Sequence, residues 1–182
     1  MKIILFSFLL LMAGAIEDVR YVQGAPLSAE TSRDQFATVE DVLEGDLLKL
    51  SNGETVRLAG VVVHGSATVA YTRQLAAGKL VRVEYAAQPK DESGRLLAYV
   101  FVVTDKPGQA KVNQPDDYVI MTSGDLQEIF LNATLLRVGY ARLTDTPSDA
   151  KYRDLFEKLQ TGAQEGRRGV WGNEKPGADK VS

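Results

Sequence analysis

Few residues in this chain are able to do chemistry, and the shortage narrows the field. There is one histidine, His64, and no cysteine. A site with two imidazoles, a disulfide scaffold and a cysteine-ligated zinc are therefore excluded. His64 titrates in the range of a general base, although a lone histidine at a strand-to-helix turn serves equally as a capping or surface residue. Arginine forks, those of Arg57 and Arg95 among them, present planar donors that suit a phosphate or carboxylate clamp. The same forks can pair with Glu44, Asp46 or another acid and simply close the mouth of a fold. Asp46, in the turn Glu44-Gly45-Asp46, also reads as a turn acid satisfied by backbone N–H groups. Tyr99 and Phe101 alternate on one apolar run, the spacing of a base-stacking pair and equally of core packing. Arg167-Arg168 beside Trp171 is too little charge for a nucleic-acid patch. Asp116-Asp117 reads as a solvated turn, although two carboxylates could attract a cation.

The elements that must position these groups follow from periodicity. The 182 residues are 45% hydrophobic and 25% charged, so the chain has the composition of a globular domain with room for one extra segment. A net charge of −3 gives no whole-chain attraction to nucleic acid. Phe36–Leu43 and Leu47–Leu50 alternate as strands around Glu44-Gly45-Asp46. Ser51–Glu54 is a compact hairpin turn, because Asn52-Gly53 supplies the positive φ angles that such turns require. Thr55–Val63 reads as a single third strand, and residues 66–77 switch to helical spacing. In that helix Ser66 is the expected N-cap, Ala67, Ala70, Tyr71 and Leu75 share a face, and Gly78 ends it. Leu80–Tyr85 and Arg95–Val103 complete five strands. Residues 104–125 are rich in Gly, Pro and Asp and read as a projecting hairpin or loop. Helical spacing returns after Asn132 and closes at Gly139, and a last helix from near Ser148 carries Tyr152, Leu155, Phe156, Leu159 and Ala163 on one face. Five strands with a helix after the third and two more at the end are the element order of an α+β fold built on a five-stranded Greek-key barrel of the OB type.

The N-terminus reads as an address. Residues 2–15 hold one lysine, a short apolar run and then Ala13-Gly14-Ala15, the order of a cleavable secretory signal. The run is short for a span, which needs about 20 residues, although an N-terminal anchor is the competing reading. The expected organisation is a signal peptide at 1–15, a linker or pro-region at 16–35, one domain at 36–172 with its insertion at about 104–125, and a polar tail at 173–182. An exported protein is expected, secreted or periplasmic, with no membrane span after cleavage.

The domain resembles the staphylococcal nuclease-like (thermonuclease) family. The resemblance is carried by Glu44-Gly45-Asp46, Val56–Val61 (VRLAGV), Gly78–Tyr85 (GKLVRVEY), Asp91–Val100 (DESGRLLAYV), Leu131–Ala141 (LNATLLRVGYA) and Arg167–Gly172 (RRGVWG), in that order. It implies calcium-dependent phosphodiester hydrolysis: a cation on the scissile phosphate, an activated water, and fixed positive charge for the transition state. It also implies that Asp46 is the first metal aspartate and Glu44 the neighbouring acid, with Arg57 and Arg95 binding the phosphate.

The rest of the implied site departs from the pattern. The family runs Val/Ile-Asp-x-Pro-Glu after the third strand, whereas this chain reads Val61-Val62-Val63-His64-Gly65. The second aspartate becomes Val62, the glutamate base becomes Gly65, and His64 is the nearest substitute base. No Asp or Glu occurs between Glu54 and Glu84, so no shift of register restores either acid. Calcium favours six or more oxygens, several of them anionic, and Asp46 with Glu44 makes a poor cage; no calcium, or weak calcium binding, is expected. The expected function is a binding module for an anionic ligand, nucleotide-like or protein-borne. One alternative is an active metal-dependent phosphodiesterase with a rearranged site around Asp46 and Glu44; another is a structural envelope domain. Expected partners are nucleotides or nucleic acid, bound weakly, or another protein through the 104–125 insertion, with the chain itself monomeric.

Overall fold

The computed structural model describes residues 34–63, 65–104, 118–123, 126–144 and 151–173. The signal segment, His64, most of the insertion including Asp116-Asp117, Ser148 and the tail beyond Asn173 lie outside the described residues. Among those described, no helix is long and apolar enough to cross a membrane.

The alternating runs become strands β1 (Asp34–Glu44), β2 (Leu47–Leu50), β3 (Thr55–Leu58), β4 (Val61–Val63), β5 (Leu80–Lys90), β6 (Leu96–Thr104), β7 (Ile120–Ser123), β8 (Leu126–Phe130) and β9 (Ala141–Leu143). The helices are α1 (Ser66–Ala76), α2 (Leu131–Arg137) and α3 (Arg153–Glu165), followed by a 3₁₀ turn at Gly169–Asn173. Seven strands form one sheet in the order β3-β2-β1-β5-β6-β8-β7. A parallel pairing of β3 with β6, from Val56 opposite Leu96 to Leu58 opposite Ala98, joins the ends of the five-strand run. That closure produces the OB-type α+β fold and removes the barrel's free edges. The inward set, including Val39, Leu48, Leu50, Val56, Val83 and Val100, is fully buried, as a period of two on a one-sided sheet demands. Tyr99 and Phe101 are also buried, packed on Phe130 and Tyr152, so they are core residues and not a stacking platform.

Several expectations about elements need correction. The expected strand Thr55–Val63 is two strands, because Gly60 takes φ +75° and turns the chain out of the barrel. β4 then pairs with β9, a three-residue strand too short to show in the sequence pattern. In α1 the buried residues are Thr68, Thr72, Leu75 and Ala76, while Ala67 and Ala70 face solvent. The threonines go inward because their hydroxyls have acceptors there: Thr72 donates to the Gly45 carbonyl at 2.8 Å and Thr68 to the Tyr140 carbonyl at 3.2 Å. The residue at the N-cap of α1 is Gly65, not Ser66, and no side chain caps the helix. The insertion supplies an added hairpin, β7 paired with β8, which extends the sheet beyond β6. α3 begins at Arg153, later than the pattern suggested, with Phe156 and Ala163 buried and Tyr152, Leu155 and Leu159 packed beside them.

Two contacts fix the helical side against the barrel. Asn132, fully buried, accepts from Val100 N–H at 3.0 Å and donates to the carbonyls of Ala59 at 2.9 Å and Ala98 at 3.3 Å. Gly139 and Gly169 let two backbones touch. A Cβ on either would lie 2.2 Å from a carbonyl oxygen of the facing segment, so neither position admits a side chain. Arg167-Arg168 belongs to this joint, since Arg168 donates to the Arg137 carbonyl at 3.3 Å.

Candidate functional site

β3 holds Arg57 between two strands, with Leu47 of β2 opposite on one side and Leu97 of β6 on the other. The β1–β2 turn brings Glu44 and Asp46 to the same place. That turn is itself pinned, by Leu58 N–H donating to the Asp46 carbonyl at 2.8 Å and by Thr72 donating to the Gly45 carbonyl. The turn between β5 and β6 contributes Asp91 and Arg95. Asp91 Oδ1 accepts from the N–H groups of Ser93 and Arg95, both at 2.9 Å, so the acid folds its own turn.

The structure therefore brings together Glu44, Asp46, Arg57 and Arg95, the groups singled out from sequence, and pairs both of these arginines with acids. Arg57 Nη1 donates to Asp46 Oδ2 at 2.6 Å and Nη2 to Glu44 Oε2 at 2.9 Å. Arg95 Nε donates to Asp91 Oδ2 at 2.8 Å. Asp91 Oδ2 also lies 3.9 Å from Arg57 Nε, so this acid stands between the two guanidiniums. Asp91 is a site residue that sequence reasoning missed; the signal was an acid four residues before Arg95 across a Ser-Gly turn. Asp46 is 2% exposed. Burial raises its carboxyl above the ordinary value of 3.8, against the opposing pull of Arg57. Burial also acts against the charge of Asp91, but the backbone and side-chain donors of Arg95 and the N–H of Ser93 outweigh it and hold that carboxyl below its usual value.

The arginines are not saturated. A guanidinium has five N–H donors. Arg57 commits one from each Nη, while its Nε is buried without a hydrogen-bond partner. Arg95 is 41% exposed and, among the described residues, its side chain donates through Nε to Asp91. Beside Arg57 opens a groove of about 490 Å³, walled by Leu58, Gly60, Val61, Val62 and Leu97 and rimmed by Lys90, Asp91 and Glu92.

Val62 lies in that groove at 37% exposure, where the resemblance implies the second metal aspartate. Gly65, at the implied base position, takes φ +83° with open space around the position of a Cβ. Neither can supply a side-chain oxygen, and Asp46 already gives Oδ2 to Arg57. Among the described residues no cluster of three or more His, Asp or Glu side chains could hold a metal ion. This donor set does not fit calcium, a hard cation that favours six to eight oxygens.

Comparison with known proteins bears directly on this site. A family model described as staphylococcal nuclease homologue matches residues 54–173, which include Arg57, Val62, Gly65 and Arg95. The thermonuclease of Staphylococcus intermedius is 30% identical over 159 residues, covering 79% of this chain and 80% of that protein. With the closed barrel, the paired arginines at its mouth and these two matches in agreement, the chain belongs to the staphylococcal nuclease family.

Proposed function

We propose that this chain is an exported nuclease-fold domain that lacks calcium-dependent hydrolysis and binds a phosphate- or carboxylate-bearing ligand at Arg57 and Arg95. The supporting observation is the asymmetry of the site. Arg57 and Arg95 are held by acids and, among the described residues, keep N–H donors without acceptors, while the positions implied to hold a cation and activate water are Val62 and Gly65. Removing general-base assistance alone costs about 10²–10⁴-fold in rate, and metal charge stabilisation is worth several kcal/mol more. The two losses act on one transition state and need not add.

A mononucleoside bisphosphate should raise the melting temperature, because a ligand of the native state alone stabilises it. Arg57→Ala and Arg95→Ala should each remove the shift, and replacing calcium with a chelator should leave it unchanged. No shift in the parent protein at millimolar ligand makes the arginines purely structural. Export is tested separately: protein recovered from outside the cytoplasm should lack residues 1–15 by intact mass, whereas full-length chain in a membrane pellet indicates an anchor.

One observation favours a second reading, a phosphodiesterase with a rearranged metal arrangement. Asp46 Oδ1 is buried without a hydrogen-bond partner, and a cation would satisfy it. On that reading Asp46→Ala abolishes a metal-dependent cleavage that the parent shows.

A further inference from the structure

The groove beside Arg57 is unlike a channel for a polyanion. Its charged rim sets Lys90 against Asp91 and Glu92, so its cations form no continuous track for successive phosphates. A nucleic-acid groove gains its affinity from neutralising successive phosphates with an excess of positive charge, and no such excess exists here. What the groove offers instead is apolar surface. Leu58, Gly60, Val61, Val62 and Leu97 line it, and Val62 presents a methyl-bearing face to solvent. A volume of about 490 Å³ falls in the range of small-molecule sites. Polar groups line it too, namely Gln88, Lys90, Asp91, Glu92 and Thr144, and among them Arg57 keeps a second N–H on each Nη beyond those given to Asp46 and Glu44.

Resting on the anion-binding reading above, we propose that the ligand is a small organic anion with one oxyanion head and an apolar body. The head takes the free donors of Arg57, and the body lies along Val62 and Leu97. Val62 then determines specificity. A carboxylate at that position would repel the head and hydrate the wall, whereas valine excludes water from the body and rewards its burial. Burying about two methylenes on the wall gives roughly tenfold in affinity.

The test is a homologous series titrated into the full mature chain by calorimetry: inorganic, methyl, butyl and hexyl phosphate, then a single-stranded oligodeoxynucleotide. Hexyl phosphate should bind at least about tenfold more tightly than methyl phosphate, and the oligonucleotide should bind no more tightly than hexyl phosphate. Val62→Thr preserves shape at a solvent-facing position and should lower the hexyl-to-methyl ratio, with Leu97 still in place, while leaving the melting temperature unchanged. Hexanoate in place of hexyl phosphate shows which head is preferred, and tighter binding of either hexyl anion than of its methyl counterpart supports the proposal. Equal affinity for methyl and hexyl phosphate overturns it while leaving the anion-binding reading intact. An oligonucleotide that binds more tightly than hexyl phosphate, with a steep salt dependence, overturns it in the same way. No binding by any phosphate, the bisphosphate included, overturns the underlying reading itself.

Discussion

Arg57 and Arg82 are both guanidiniums on barrel strands facing carboxylates, but their surroundings differ. Arg82 on β5 makes a bidentate contact with Glu128 on β8, through Nε to Oε1 at 2.9 Å and Nη2 to Oε2 at 2.6 Å. Glu128 is completely buried, and the guanidinium lies 3.9 Å over the ring of Phe101. Glu84 extends the cluster to the start of α3, accepting from Lys151 Nζ at 2.5 Å and from Tyr152 OH at 3.0 Å. These groups are directed at one another on a bed of aromatic rings. At the barrel mouth, by contrast, Glu44 is 56% exposed, Arg57 Nε has no hydrogen-bond partner and Asp46 Oδ1 has none either. A satisfied buried network rigidifies a fold. An incompletely satisfied one at an open groove has capacity left for a ligand. Residue type alone would not distinguish the two arginines; the matching of donors to acceptors does.

Breaking the sealed cluster should have the largest effect. Glu128→Ala removes the bidentate acceptor of the buried Arg82 guanidinium, leaving Glu84 at 3.8 Å, and chemical denaturation should show a loss approaching about 3–5 kcal/mol. Replacing both partners with apolar residues, Arg82→Met with Glu128→Leu, should recover most of it. A double variant as unstable as the single one would mean that the pair itself, and not the orphaned charge, supports the fold.

Arg57→Ala comes next, with an expected loss of about 1–3 kcal/mol at neutral pH from an unpaired Asp46. Its sign with pH is fixed. Burial already raises the Asp46 carboxyl above 3.8, and loss of Arg57 removes an opposing pull, so the folded-state pKa rises further. Such a group supports the fold fully below its unfolded pKa and loses that support as pH rises through the folded one. The stability gap between parent and variant should therefore widen from acid to neutral pH. A gap that narrowed instead would mean that Arg57 does not stabilise the Asp46 carboxylate.

Restoring the acids should do less. Val62→Asp is tolerated at a solvent-facing position, but Gly65→Glu places a side chain at φ +83°, ψ 160°, a region used almost only by glycine, and carries backbone strain of about 1–3 kcal/mol. The pair should not bring back calcium-dependent turnover while Arg57 holds Asp46. Asp91→Asn should have the smallest effect on stability. The Asp91 carboxyl is held low, so it supports the fold above its unfolded pKa and loses that support as pH falls through the folded one. The variant should flatten the acid limb of the stability profile and weaken bisphosphate binding, because Arg95 loses its anchor.

How much of this was legible in the sequence depends on distance along the chain. The β1–β2 turn, the Asn52-Gly53 hairpin and the α3 face are local patterns and appear where period and turn chemistry place them. Glu44, Asp46, Arg57 and Arg95 were assembled by resemblance, and the fold does bring them together. The split at Gly60 was not legible, because β4, the strand that follows the turn, finds its partner about 80 positions later. The Arg82–Glu128 pair spans 46 residues and leaves no local trace. Polar residues facing inward on α1 misled the periodicity, since Thr68 and Thr72 count as polar until their acceptors are known.

Whether the barrel mouth lacks calcium-dependent cleavage turns on one assay. Purified chain is incubated with single-stranded DNA and with RNA in calcium, magnesium, manganese and chelator, and product is followed against a buffer blank. No calcium-dependent product above the blank is expected. Sustained turnover in calcium that survives repeated purification and is lost in Asp46→Ala would overturn the reading of this site as a binding module.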